Sequence, residues 1–112
     1  AVALQRRGIA AEVHEAAPEL RPVGKGIWVP PNAMQVLARL GLAEAVQLAG
    51  WPIHRIELVS RNRPLMTIDG AALLPTVGFP TVAIHRATLV EIVAAALNPG
   101  TLLLGRRFQR YE

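Results

Sequence analysis

The chain has 112 residues, of which 52% are hydrophobic, with no cysteine and a net charge of +4 from 12 basic and 8 acidic side chains. That composition carries enough apolar material for a core, which excludes a disordered chain, and the absence of cysteine excludes disulfides and thiolate metal sites. Eleven of the basic residues are arginines scattered from Arg6 to Arg110 with few aromatic residues between them, a pattern of solvated charges that argues against nucleic acid but suits small anionic partners.

The first residues, with Val2, Leu4 and the pair Arg6 and Arg7, read as the last turns of a helix stopped by Gly8. "IAAEVHE" places Ile9, Ala11 and Val13 on one face of a short strand that ends at Glu15. The proline- and glycine-rich "AAPELRPVGKGIWVPPN" reads as a long irregular loop of the kind that carries function. Asn32 is the expected N-cap of an amphipathic helix with Ala33, Val36, Leu37 and Leu40 on one face and Gly41 as its stop, and a second short helix covers Ala43 to Ala49.

From Ile53 the period changes to two, and "SRNR" turns the chain into "PLMTIDG", a β-hairpin with Pro64 as the first residue of its second strand. Residues Ala71 to Pro80, with Pro75, Gly78 and Pro80, read as a loop. "IHRATLVEIVAAALNPG" is a helix with Leu89, Ile92, Val93, Ala96 and Leu97 on one face, and "TLLLG" is an apolar run suited to a buried parallel strand. "RRFQRYE" is expected to continue as a strand. Trp28 and Trp51 are expected to serve packing rather than binding, and His85 to stand at a helix start or the edge of the core.

The apolar stretch from Leu89 to Leu97 is interrupted by Glu91 and falls far short of the ~20 residues of a membrane span. No signal-peptide pattern opens the chain, and His14, His54 and His85 lack metal-ligand spacing. A cytoplasmic protein without a metal site, membrane contact or nucleic-acid partner is expected. Oligomeric state is not legible.

A helix, a tight turn, a strand and an acidic residue at that strand's end form the second half of a dinucleotide-binding βαβ unit, in which the acid accepts hydrogen bonds from a ribose. Glu15 stands at that place. The glycine-rich phosphate turn belongs about 20 residues earlier, so residues 1–112 are expected to be part of a doubly wound, Rossmann-like α/β domain without its first strand and glycine turn. A solvated carboxylate at a strand end is the ordinary reading of Glu15.

"EVHEAAPELRPVGKGIWVPPNAMQVLARLGLAEAV", followed further along by "AIHRATLVEIVAAAL", resembles the flavin-dependent aromatic hydroxylases, single-component FAD monooxygenases similar to 4-hydroxybenzoate and salicylate hydroxylases. The resemblance runs over nearly the whole chain. It implies a partial FAD-binding domain with a β-hairpin excursion, in an enzyme that uses NAD(P)H and dioxygen to hydroxylate an aromatic or similar small molecule. The isolated segment is expected to be inactive.

Carried over residue by residue, the resemblance makes Glu15 the acceptor for the adenosine ribose of FAD and Arg86 a cationic contact to the cofactor. A guanidinium can grip pyrophosphate oxygens or hold the flavin's polar edge. An arginine at a helix start opposes the helix dipole, which an anionic cofactor would offset; otherwise Arg86 is an exposed first-turn residue. Gly24 and Gly26 would let the backbone approach the flavin ring, or form an ordinary turn. Arg21 is a second cationic candidate or a solvated loop residue. Lys25 between the two glycines and Ala16 after the acid depart from the family pattern. No general acid or base is identified. Two other readings stay open: a halogenase- or epoxidase-like FAD oxidoreductase, and a non-catalytic α/β interaction module.

Overall fold

The computed structural model describes residues 1–21 and 24–110. In chain order the elements are α1 (Val2–Gln5), β1 (Val13–His14), β2 (Gly26–Val29), α2 (Pro31–Arg39), α3 (Ala43–Ala49), β3 (Trp51–Ile53), β4 (Arg55–Ser60), β5 (Arg63–Asp69), α4 (Gly70–Val77), β6 (Thr81–His85), α5 (Arg86–Ala95) and β7 (Leu102–Leu103). This is a mixed α/β fold. It divides into two compact units, Ala1–Gly24 with Arg86–Glu112, and Lys25–His85.

In the first unit β1 and β7 run parallel, Val13 opposite Leu102 and His14 opposite Leu103. The helix-to-strand crossover expected from "TLLLG" is therefore present, with α5 leading into β7. Gly8, at φ 70°, closes α1 as expected, donating its N–H to the Gln5 carbonyl at 2.9 Å. The strand expected from Ile9 is shorter than its alternation suggests, because β7 offers only two paired residues.

The strand expected from Arg106 onward is not formed over 106–110, and Tyr111 and Glu112 lie outside the described residues. Gly105, at φ 68°, turns the chain after β7 instead, and its N–H donates to the Ala17 carbonyl at 2.9 Å. The segment thus crosses the end of β1 rather than extending β7.

The second unit is built on an antiparallel sheet in the order β2-β6-β3. One face of it carries Val29, Val82 and Ile84, all buried, and the core is completed by Met34 of α2 and Val46 of α3. The helix pair forms where expected, but α2 buries Met34 and leaves Val36 of the expected apolar face 54% exposed, and its start differs as well. Pro30 is the N-cap and Pro31 the first residue of α2, so Asn32 lies inside the helix, its side chain accepting from the Ala33 N–H at 2.9 Å. Proline needs no amide partner at that position and its φ suits the first turn.

Two elements replace expected loop. The Gly26–Val29 stretch pairs with β6 as strand β2, which a proline-rich neighbourhood conceals. Gly70–Val77 is helix α4, capped by Asp69, whose side chain accepts from the Ala72 N–H at 3.0 Å, and closed by Gly78 at φ 79°. Pro75 costs this helix one backbone hydrogen bond without ending it.

The hairpin β4-β5 turns on Arg61 and Asn62, both at positive φ, as a two-residue hairpin loop requires. Pro64 is the second residue of β5, opposite Val59 beside a register shift, where a missing N–H is tolerated. Trp28 and Trp51 are not interior residues. Both stand opposite Ala83 on the sheet face away from the core, 60% and 77% exposed.

Candidate functional site

Glu15 follows β1 directly, and its position is fixed by its own backbone. Its N–H donates to the Leu103 carbonyl at 2.9 Å, and its carbonyl accepts from the Arg106 N–H at 2.8 Å. These bonds hold it at the carboxyl end of the parallel pair, the end at which open α/β sheets bind ligands. The side chain folds back so that Oε1 accepts the Ala17 N–H at 2.8 Å. One carboxylate oxygen is thereby anchored to the loop.

Arg86 is the first residue of α5, a helix of 10 residues, and it is exposed. A Cβ built on Gly24 would lie 3.0 Å from its Nε and 3.2 Å from its own Cβ, so the absence of a side chain at Gly24 makes room for Arg86. Arg21, also exposed, donates its Nε–H to Glu19 Oε1 at 2.9 Å.

These side chains converge. Glu15, Arg21 and Arg86 line one cavity of about 310 Å³, together with Glu19, Leu20 and Val90 among others. Two arginines and two carboxylates, the half-exposed Glu15 and the exposed Glu19, therefore share a hollow at the end of β1 and the start of α5, where the first-turn N–H groups of the helix add donor character. This donor set fits the ribose and pyrophosphate of a dinucleotide: carboxylate oxygen for sugar hydroxyls, guanidinium N–H groups for phosphate oxygens.

Of the five residues singled out by sequence, Glu15, Arg21 and Arg86 line the cavity and Gly24 lies against Arg86. Gly26 belongs to the other unit, where it opens β2 opposite His85, with nothing within 4 Å of the place a Cβ would take. His85 is the exposed last residue of β6. Glu19 lines the cavity as well, although the sequence did not single it out. Its signal was an acidic residue two positions before Arg21 in the functional loop, a spacing that lets the two side chains meet.

No family model matches the chain. Curated relatives do. The chain is 32% identical to the aurachin C monooxygenase/isomerase of Stigmatella aurantiaca over 112 residues, covering 99% of this chain and 29% of that protein. It is 32% identical to the FAD-dependent urate hydroxylase of Klebsiella pneumoniae subsp. pneumoniae over 114 residues, covering 100% of this chain and 30% of the relative. Among solved structures, Klebsiella pneumoniae HpxO complexed with FAD and uric acid superposes with a TM-score of 0.79 at 26% identity, over 97% of this chain and 28% of that one. The chain thus spans about 30% of the length of the curated relatives it matches. Similarity along its whole length and a shared fold carry one conclusion: the homologues of this chain are FAD-dependent hydroxylases and monooxygenases.

Proposed function

We propose that residues 1–112 form part of the FAD-binding domain of a monooxygenase that hydroxylates an aromatic or similar planar small molecule with NAD(P)H and dioxygen. The observation that carries this reading is the convergence of Glu15, Arg21 and Arg86 on one cavity at the carboxyl end of β1, in a chain whose relatives are FAD-dependent enzymes. When bound, FAD supplies the electron transfer and oxygen activation that protein side chains cannot.

The chain's own residues bind and orient. The Glu15 carboxylate, held through Oε1 by Ala17, presents its other oxygen to ribose hydroxyls. Arg21 and Arg86 meet the pyrophosphate charge. Gly26 has open space where a side chain would stand, and a flavin ring would be able to approach the backbone of β2 there. No side chain of this segment is assigned a proton-transfer role.

A cytoplasmic location follows from the need for NAD(P)H and agrees with the lack of cysteine. Among the described residues no helix is long and apolar enough to cross a membrane. The test is to purify the protein that carries this chain, record its flavin absorbance, and measure NAD(P)H oxidation with and without aromatic substrates such as urate. Flavin-bound protein whose NAD(P)H oxidation is stimulated by an aromatic compound, with product containing one added oxygen, is the expected result. Protein that purifies without flavin and binds none on titration refutes the proposal.

A further inference from the structure

We propose that Glu19 is a positioning residue for the dinucleotide site, acting through Arg21; the inference rests on the reading of that cavity as the FAD site. The Nε–H of Arg21 donates to Glu19 Oε1 at 2.9 Å, and both residues line the cavity that also holds Glu15 and Arg86. The contact uses the Nε side of the guanidinium. Its two terminal NH₂ groups form a separate edge, which can face the paired oxygens of a pyrophosphate while Glu19 keeps the Nε.

What Glu19 supplies is order rather than charge. An exposed arginine carries several rotatable bonds, and fixing them on binding a ligand costs affinity. At 65% side-chain exposure Arg21 has little packing to hold it, so an acceptor two residues away is what restrains its plane before the ligand arrives. The negative charge of Glu19 works against an anionic ligand in the same cavity. The two effects of Glu19 have opposite signs, and substitutions separate them: glutamine keeps an acceptor oxygen and drops the charge, whereas alanine drops both.

The experiment uses the full protein carrying this chain, with FAD and riboflavin titrations followed by flavin fluorescence in wild type, Glu19→Ala, Glu19→Gln, Arg21→Ala and the double variant Glu19→Ala/Arg21→Ala. Glu19→Ala is expected to weaken FAD binding about two- to fivefold, the span of an exposed ion pair. Glu19→Gln should bind FAD at least as tightly as wild type. In the Arg21→Ala background Glu19→Ala should add nothing, and riboflavin, which lacks the pyrophosphate, should bind all variants alike. Tighter or unchanged FAD binding by Glu19→Ala overturns the proposal, as does a loss that persists without Arg21 or that extends equally to riboflavin. Wild-type protein that binds no FAD overturns the reading of the cavity itself, and the proposal with it.

Discussion

Gly24 and Arg86 stand so close that a single carbon added to the glycine would come within 3.2 Å of the arginine's Cβ and 3.0 Å of its Nε. Contacts that short force the arginine side chain to move. The glycine is thus a condition for where Arg86 points, although it offers no functional group of its own.

Gly24→Ala is therefore expected to displace Arg86 and weaken FAD binding in the protein that carries this chain. Arg86→Ala should weaken it by roughly 1.5–3 kcal/mol, the range for hydrogen bonds to a charged group. Because Arg86 is exposed, its loss should leave the unfolding midpoint nearly unchanged. The double variant Gly24→Ala/Arg86→Ala should lose less FAD affinity than the two single losses added together, any loss beyond Arg86→Ala alone coming from the strain of an alanine at φ 157°. An additive loss in isothermal titration would show that Gly24 contributes in some other way.

At Gly26 the chain itself opposes nothing, for no atom lies within 4 Å of the position a Cβ would occupy. Valine also suits a strand. Gly26→Val should then leave stability within ~0.5 kcal/mol of wild type while lowering flavin occupancy and shifting the flavin absorbance bands. Full occupancy with an unaltered spectrum would place the flavin ring elsewhere.

Gly50 behaves differently, although it too borders a strand. A Cβ there would collide with the fully buried Val82 and lie 2.8 Å from the Ala83 carbonyl oxygen. Gly50→Ala should destabilise the fold by about 1–3 kcal/mol through overpacking, seen as a lower midpoint in urea denaturation. A midpoint equal to wild type would mean that β6 yields freely.

Gln5 ties α1 to the turn after α5. Its Nε2 donates to the Ala96 carbonyl at 3.3 Å, and its Oε1 accepts from the Asn98 N–H at 3.0 Å and the Thr101 hydroxyl at 3.2 Å. Thr101 is a buried polar residue. Replacing Gln5 with leucine should cost about 1–2 kcal/mol, since the buried Thr101 hydroxyl loses its acceptor and the half-buried Ala96 carbonyl its donor. Faster hydrogen exchange at the Asn98 amide is the local readout, and unchanged exchange would show that the turn holds itself.

Much of this architecture was legible locally. Spacing of Ala33, Val36, Leu37 and Leu40 marked α2, alternation around Ile56 marked the hairpin, and the apolar run at Leu102 marked a parallel strand. Helix α4 escaped because Pro75, Gly78 and Pro80 outweighed a cap signal at Asp69 that was present in the sequence. The positions of Glu15 at a strand end and Arg86 at a helix start were legible too, and both residues line one cavity.

What the sequence by itself determined were features whose cause lies within a few residues: helix periodicity and turn chemistry. Tertiary structure alone decided the rest. Strand β2 exists because β6 supplies its hydrogen-bonding partners from 26–29 to 82–85, and the Trp28 and Trp51 side chains face outward because their register opposite Ala83 commits the other face to Val82 and the core. Glu15 and Arg86, far apart along the chain, share a cavity because β1 pairs with β7 at the far end of α5. Such pairings depend on backbone groups that every residue carries alike, so no local pattern of side chains records which distant partner they meet.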